Sequence, residues 1–432
     1  MKQLKYIFIV LSFISLGIIS CKKDFDNPNA APQDDVFTSA RGMTAAAVGL
    51  QRLYSYGRAG MLYNIVTANG FVTNELRILN TGNLPEAQLS TGGTTVDGTN
   101  TVLGNIWANA SKIMLDADRI LAAAPSLPDK GYASGLIGYA SIYKAMAIGT
   151  LAMFWEKVPD TVGTNVTFSD RMAGYTRAIA VIDRALAAIA TNPISTTFAG
   201  NIPAGTDIIN TLYALKARYA LFSGNYTLAL ATANLVDLTK RSTMNYDAVS
   251  INPIFETATS TNNVWQPVDS TFGLPIGLRP TATDKRVQFY TTINPTIAPR
   301  FRVGGFGLTS TTPWPYYVPG EIILIKAESY ARMSPPDLAN ALIELNKVVT
   351  KQPTADPFGI GAGELPFTGA TQAAILDEIY RQRQIELYMM GFKLEDMRRF
   401  GRPLTGERKR NFFPYPFTER DNNPNTPIDP LY

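Results

Sequence analysis

Trp265 stands beside Asn262, Asn263 and Gln266, and Trp314 stands beside Tyr316, with Arg300, Arg302 and Phe306 a few residues upstream. Flat rings interleaved with amides and guanidiniums can hold a sugar, because the rings stack on its C–H faces while the polar groups bond its hydroxyls. The competing role for each ring is to pack the interior of its own segment.

Much other chemistry is excluded. The 432 residues contain no histidine and one cysteine, Cys21. Ser-His-Asp and Cys-His catalysis and histidine-based metal sites therefore have no candidate residues. Carboxylates remain as a catalytic kit, since a facing pair of Asp or Glu hydrolyses glycosides without histidine, but no spacing here selects such a pair. Gly401-Arg402-Pro403-Leu404-Thr405-Gly406 has the glycine spacing of a phosphate loop, yet Glu407 stands where lysine is required. Gly359-Ile360-Gly361-Ala362-Gly363 lacks a dinucleotide fingerprint's third-glycine spacing. Asp24-Phe25-Asp26 and Asp116-Ala117-Asp118 lack the glycine and distal glutamate of a calcium loop. No catalytic residue, metal or cofactor is expected.

Cys21 follows a basic start, Lys2 and Lys5, and an apolar run from Ile7 to Ile19. That is the layout of a secretory signal, and Leu16-Gly17-Ile18-Ile19-Ser20-Cys21 resembles a bacterial lipoprotein signal in which the thiol is acylated. An ordinary signal with a stray thiol is the alternative. Several acyl chains hold a protein stably at a membrane, each buried methylene contributing about 0.8 kcal/mol. Residues 1–20 are thus read as the signal and 21–38, polar and turn-rich, as a tether.

Apolar residues make up 46% and charged residues 17% of the chain, enough for a core and unlike a disordered protein. Net charge is +4, or +2 without Lys2 and Lys5, too small a surplus to suggest nucleic acid. Periodicity predicts helices over 44–56 and 105–123, with a Gly/Thr/Asn-rich loop at 81–101 between them. Residues 133–238 are strongly helical, and Ile179, Ile182, Leu186 and Ile189 form one stripe. Residues 212–222 and 226–238 make a hairpin in which Ala217, Gly224 and Ala229 fall where a tetratricopeptide-type repeat needs small residues; a generic helix pair would look similar. Residues 251–318 lose helical period and carry ten aromatics, as a functional loop region on a rigid scaffold would. Helices resume over 321–333, 337–350, 371–390 and 392–400, the last two hinged at Gly391. Within the third, Arg383 lies among Leu376, Tyr380, Leu387 and Met390. A guanidinium on an apolar stripe needs a carboxylate, and Glu386 and Glu328 are the candidates.

Several of these segments line up in one order. Ile106-Trp107-Ala108-Asn109-Ala110 opens an early helix, and another ends Phe154-Trp155-Glu156-Lys157-Val158-Pro159. Lys326-Ala327-Glu328 and Leu345-Asn346-Lys347-Val348 follow. Then come Arg381-Gln382-Arg383-Gln384-Ile385-Glu386-Leu387, the run Gly391-Phe392-Lys393-Leu394-Glu395-Asp396-Met397-Arg398-Arg399-Phe400-Gly401, and the close Pro414-Tyr415-Pro416-Phe417-Thr418-Glu419-Arg420 with Asn423-Pro424-Asn425. With the lipoprotein start, this set resembles the SusD/RagB family of Bacteroidota outer-membrane lipoproteins across nearly the whole mature chain. Trp155 departs from it, standing where the family usually has glycine.

The resemblance implies a mainly α fold: a tetratricopeptide-like helix-hairpin scaffold with an irregular, loop-rich inserted binding subdomain. The scaffold would occupy 39–250, the insert 251–318 and the C-terminal helical part and tail 319–432. It implies a lipid-anchored protein of the outer membrane, facing the exterior, that binds an oligosaccharide or other nutrient and delivers it to a SusC-like TonB-dependent transporter. Family members draw ligand contacts from the insert and from the loop before the Trp107 helix. The expected site is therefore Trp265, Trp314, Tyr316, Phe306 and Asn263 with Arg77, Asn80 and Asn83, alongside Asn74 and Glu75. A peptide ligand, and a surface glycoside hydrolase, are the alternatives.

Overall fold

Helix starts are written as side-chain acceptors just ahead of apolar runs. Ser39, Asn100, Asp129, Asp170, Asp207 and Thr371 each accept a first-turn backbone N–H, satisfying donors that have no partner inside the helix. In the computed structural model, which describes residues 36–260, 264–296, 298 and 300–432, the scaffold helices are α1 (Ala40–Ser55), α2 (Met61–Val72), α3 (Leu84–Thr91), α4 (Thr101–Ala123), α5 (Lys130–Phe154), α6 (Arg171–Thr191), α7 (Ile208–Phe222) and α8 (Tyr226–Ala233). The insert contains α9 (Lys285–Tyr290), and after it come α10 (Pro319–Arg332), α11 (Leu338–Val349), α12 (Gln372–Glu386) and α13 (Lys393–Arg399). Cys21 and the proposed signal and tether to residue 35 lie outside the described residues.

Successive helices pack as antiparallel hairpins: α4 on α5, α5 on α6, α7 on α8 and α10 on α11. The α7–α8 turn is made by Gly224 at φ +77°, and the fully buried Ala217 and Ala229 let the two helices approach. This is a helical, tetratricopeptide-like scaffold. The stripe on α6 faces the core through Ile182 and Ile189, with Ile179 and Leu186 partly buried beside them.

Two segments differ from expectation. The loop predicted at 81–101 contains α3, started by Pro85 in its first turn and anchored by the buried Leu89. Proline is well suited to that position because its missing N–H has no helical acceptor to lose. Helix α2 gave no periodic signal because all twelve of its residues are buried, leaving no polar face. Helix α5 is mostly apolar and long enough to cross a bilayer, yet it is packed inside the protein.

Among the described residues the strands form four antiparallel pairs. β1 (Leu76–Ile78) pairs with β5 (Trp265–Pro267), and β4 (Thr243–Met244) pairs with β8 (Trp314–Pro315), so two ladders stitch the insert onto the scaffold. β2 (Lys157–Pro159) pairs with β3 (Phe168–Asp170), and β6 (Thr291–Ile293) with β7 (Phe301–Val303). One hydrophobic core runs through the scaffold helices and the insert's rings, and a second joins α10, α11 and α12 around Leu324, Leu345 and Ile379.

Arg383 pairs with neither expected carboxylate. Its Nε and Nη2 donate to Asp396 Oδ2 and Oδ1 at 2.9 and 3.0 Å across the hinge between α12 and α13. Gly391 makes that hinge at φ +85°, following Met389 at φ +60°, and the turn folds α13 back so that Asp396 faces Arg383. Glu386 instead serves Arg286 and Lys351, and Glu328 serves Arg332 and Arg399. Trp155 is fully buried and donates to Pro414 O at 2.9 Å, tying the tail to the end of α5.

Candidate functional site

The turn at residues 56–60, between α1 and α2, divides two concave regions that meet at Ala59. One cavity, of about 680 Å3, is lined by Arg52, Tyr56, Asn109, Asp116, Val249 and Glu256. The other, of about 470 Å3, is lined by Arg58, Tyr63, Asn64, Asn83, Glu86 and Asn105. Side-chain amides from the flanking helices hold the turn. Asn109 Nδ2 donates to Ala59 O at 2.8 Å, while Asn64 Nδ2 donates to Arg58 O at 3.0 Å and Gly60 O at 2.7 Å. A groove built on locked backbone keeps its shape before a ligand arrives, which lowers the ordering cost of binding.

A chain of bonds runs from the groove into the core. Arg58 Nη2 reaches Asn83 Oδ1 at 3.0 Å and Glu86 Oε1 at 2.5 Å. Tyr63 OH donates to the same Glu86 oxygen at 2.9 Å, and Trp265 Nε1 donates to Tyr63 OH at 3.2 Å. Burial opposes the charge on Arg58, but the bond to Glu86 and the nearby Tyr63 outweigh it and strengthen its hold on the proton. Burial, with Glu86 nearby, pushes the Tyr63 hydroxyl far above its ordinary range, so it stays a donor. At the other cavity the Arg52 guanidinium lies 5.4 Å from the Tyr56 ring centre, and Tyr56 packs against Tyr246 at 5.8 Å. The groove can thus offer one half-exposed ring, several amides and charges of both signs.

The insert's aromatics are elsewhere in the packing. Trp265, Trp314, Tyr316 and Phe306 are 0%, 3%, 2% and 5% exposed, which leaves no ring face for a ligand; the expectation that they stack on one is corrected. Phe306 sits among Phe289, Tyr290, Trp314 and Phe358. The Tyr316 hydroxyl bonds those of Tyr143 and Thr206. Gln266 is also buried and is engaged with Ala258 O and Val303 N. The physical reason is that a segment without long helices must fill its interior with large side chains. Asn262 and Asn263 lie outside the described residues.

The earlier loop fares differently. Asn83 lines the groove and binds Arg58 directly. Asn80 is exposed and shapes the loop, accepting from Gly82 N through Oδ1 at 2.8 Å and from Asn83 Nδ2 through its carbonyl at 3.2 Å. Arg77 is exposed on β1, opposite Gln266 in the ladder that carries Trp265. Asn74 adopts φ +62° and bonds Glu407 O. Glu75 is buried under β1, where Asn69 Nδ2 donates to it at 2.7 Å. Burial pushes its carboxyl up and Lys393, nearby, draws it back; burial likewise pushes the Lys393 ammonium down. Lys393 Nζ donates to Phe272 O, which ties α13 to the insert.

Tyr56, Arg58 and Glu86 carry no sequence signal of their own. Tyr56 reads as a helix end, Arg58 as a turn residue and Glu86 as one acid in a polar stretch; the return of α3 against α2 brings Glu86 to Arg58, while Tyr56 lines the adjoining cavity across the turn.

No family model matches the sequence, and no curated protein matches it. Solved structures do resemble the fold. A SusD superfamily protein from Parabacteroides distasonis superposes with a TM-score of 0.69 at 14% identity, covering 93% of this chain and 100% of that one. A SusD-like carbohydrate-binding protein from Bacteroides fragilis gives 0.68 at 15% identity over 90% and 99% of the two chains. A laminarin-binding SusD-like protein gives 0.60 at 15% identity over 91% and 99%. Helix-hairpin scaffold, stitched insert and wrapped tail together have the SusD-like fold.

Proposed function

We propose that this chain is a SusD/RagB-type lipoprotein of the outer membrane that binds an oligosaccharide nutrient noncovalently in the groove around residues 56–60. It would pass that cargo to a SusC-like TonB-dependent transporter without transforming it. One observation carries the binding role: a preformed groove, open to solvent, in which Tyr56 and a layer of amides and charged groups surround a turn held from both sides. The carbohydrate named for two structural neighbours supports the class of cargo. A peptide is the second reading, favoured by the single half-exposed ring among many backbone-pairing amides.

The test is a glycan and peptide array, including laminarin oligosaccharides, probed with the natural chain, Tyr56→Ala and Arg52→Ala. Loss of one stacked ring should weaken the retained ligands by about tenfold, or about 1.4 kcal/mol, with the melting temperature unchanged. Recovered ligands should be intact. Equal binding by both variants would refute the groove, and turnover would refute a purely binding role.

Anchoring is proposed through Cys21. Labelling cells with a tagged fatty acid should mark the natural chain and leave Cys21→Ala unlabelled and released from the membrane fraction; equal labelling would contradict it.

A further inference from the structure

The two cavities beside the turn at residues 56–60 have one wall in common. Thr101, Asn105, Asn109 and Asp116 lie on a single face of α4, the first two lining one cavity and the last two the other. At 1.5 Å per residue that face extends about 22 Å, a length that several sugar units in line would cover and a disaccharide would not. Only a low ridge separates the cavities. Ala59 lines both and is exposed, and its side chain is a single methyl. Gly57, two residues earlier, adopts φ +66°, and a Cβ there would meet nothing within 4 Å. Gly49, inside α1, lines the first cavity and likewise has open space where a Cβ would stand. Glycine lowers helix stability relative to alanine, and no packing contact compensates at this position; what it leaves is a path for close approach to the helix backbone.

The crossing point carries neutral hydrogen-bonding groups. Asn109 Nδ2 gives its N–H groups to two backbone carbonyls, Ala59 O at 2.8 Å and Asn105 O at 2.9 Å, which fixes the orientation of the amide. Its Oδ1 accepts from no described residue, and the side chain is half-buried, within reach of solvent. Asn105, one turn earlier, lines the second cavity with a side-chain amide that bonds no described residue. Hydroxyls of one chain lying over Ala59 can meet both amides, because the two stand on the same helix face.

Resting on the oligosaccharide reading above, we infer that both cavities serve one ligand, a linear glycan held along its chain across Ala59, so that affinity depends on chain length. Joining two sets of contacts through one ligand makes the second intramolecular and raises affinity beyond that of either set alone. The probes are laminarin, xylan, cellulose and mannan oligosaccharides from disaccharide to octasaccharide, with an oligoserine ladder beside them, titrated calorimetrically. In at least one glycan ladder the affinity should rise by about tenfold or more from disaccharide to hexasaccharide and then level off. Ala59→Ile raises the ridge with a stiff side chain that offers neither a hydrogen bond nor a flat ring. It should remove most of the length dependence and leave the melting temperature within a few degrees, since position 59 is exposed. Tyr56→Ala in one cavity and Asn105→Ala in the other should each weaken the hexasaccharide.

A disaccharide bound as tightly as its hexasaccharide, a length dependence that survives Ala59→Ile, or a hexasaccharide sensitive to only one of Tyr56→Ala and Asn105→Ala overturns the inference and leaves the groove as a binding site. Binding of the oligoserine ladder alone, or of no ladder, overturns the oligosaccharide reading and the inference with it. The comparison of lengths needs no variant, so it stands even if Ala59→Ile folds poorly.

Discussion

Asp396→Asn is expected to destabilise the fold by about 3–5 kcal/mol, the usual consequence of removing one partner of a buried ion pair. Arg383 is fully buried, and Asp396 Oδ1 and Oδ2 receive both of its bonds. Arg399 Nη2 adds a third at 2.5 Å and itself reaches Glu328. With an amide in place of the carboxylate, the Arg383 charge remains buried without a counter-charge.

The same node fixes the acid limb of stability. Burial pushes the Asp396 carboxyl up, but the Arg383 and Arg399 guanidiniums outweigh it and hold it below its ordinary 3.8. A carboxylate whose native value is depressed contributes stability that is complete above the unfolded value and disappears as pH falls through the native one. Glu395, opposed by burial but held down by Arg398 and Arg171, acts in the same direction. Urea unfolding across pH should therefore show stability falling below about pH 4 in the natural chain and a flatter limb in Asp396→Asn. A variant within about 0.5 kcal/mol of the natural chain, a surface-like effect, would contradict the node's role.

Trp265→Ala is the second large effect, about 3–5 kcal/mol for deleting a buried indole. The ring is fully buried, 6.4 Å between centres from Tyr63, and its N–H holds the Tyr63 hydroxyl that in turn bonds Glu86. Truncation should lower the melting temperature by several degrees and weaken ligand binding together, because the floor under Glu86 is no longer held. Tyr56→Ala should do the reverse, touching binding and sparing stability. If Trp265→Ala abolished binding with an unchanged melting temperature, the indole would be a ligand contact after all and its burial would be wrong.

These two residues also mark how far the sequence was legible. Amphipathic helices with strong caps, such as α6 after Asp170 and α12 after Thr371, are visible because one face is polar and the first-turn donors need a side chain. Helix α2 was invisible because burial on every side removes the period, and α3 because its composition is that of a loop. Arg383 was recognisable as a buried cation needing an acid, but Asp396 faces it only after the turn at Met389 and Gly391, a tertiary event that no local spacing encodes. Trp265 and Trp314 were legible as important rings, yet composition cannot tell a ring facing cargo from one filling an irregular interior. The groove itself is assembled from α1, the turn at residues 56–60, α2, α3 with Asn83 before it, α4 and residues 249–256, so its residues have no common sequence neighbourhood.

A crystal structure with bound cargo tests the groove most directly. Electron density for the ligand should lie at the turn of residues 56–60, with contacts from Tyr56 and from Arg58 or Glu86. Ligand seated elsewhere, with both cavities beside that turn unoccupied, would contradict it.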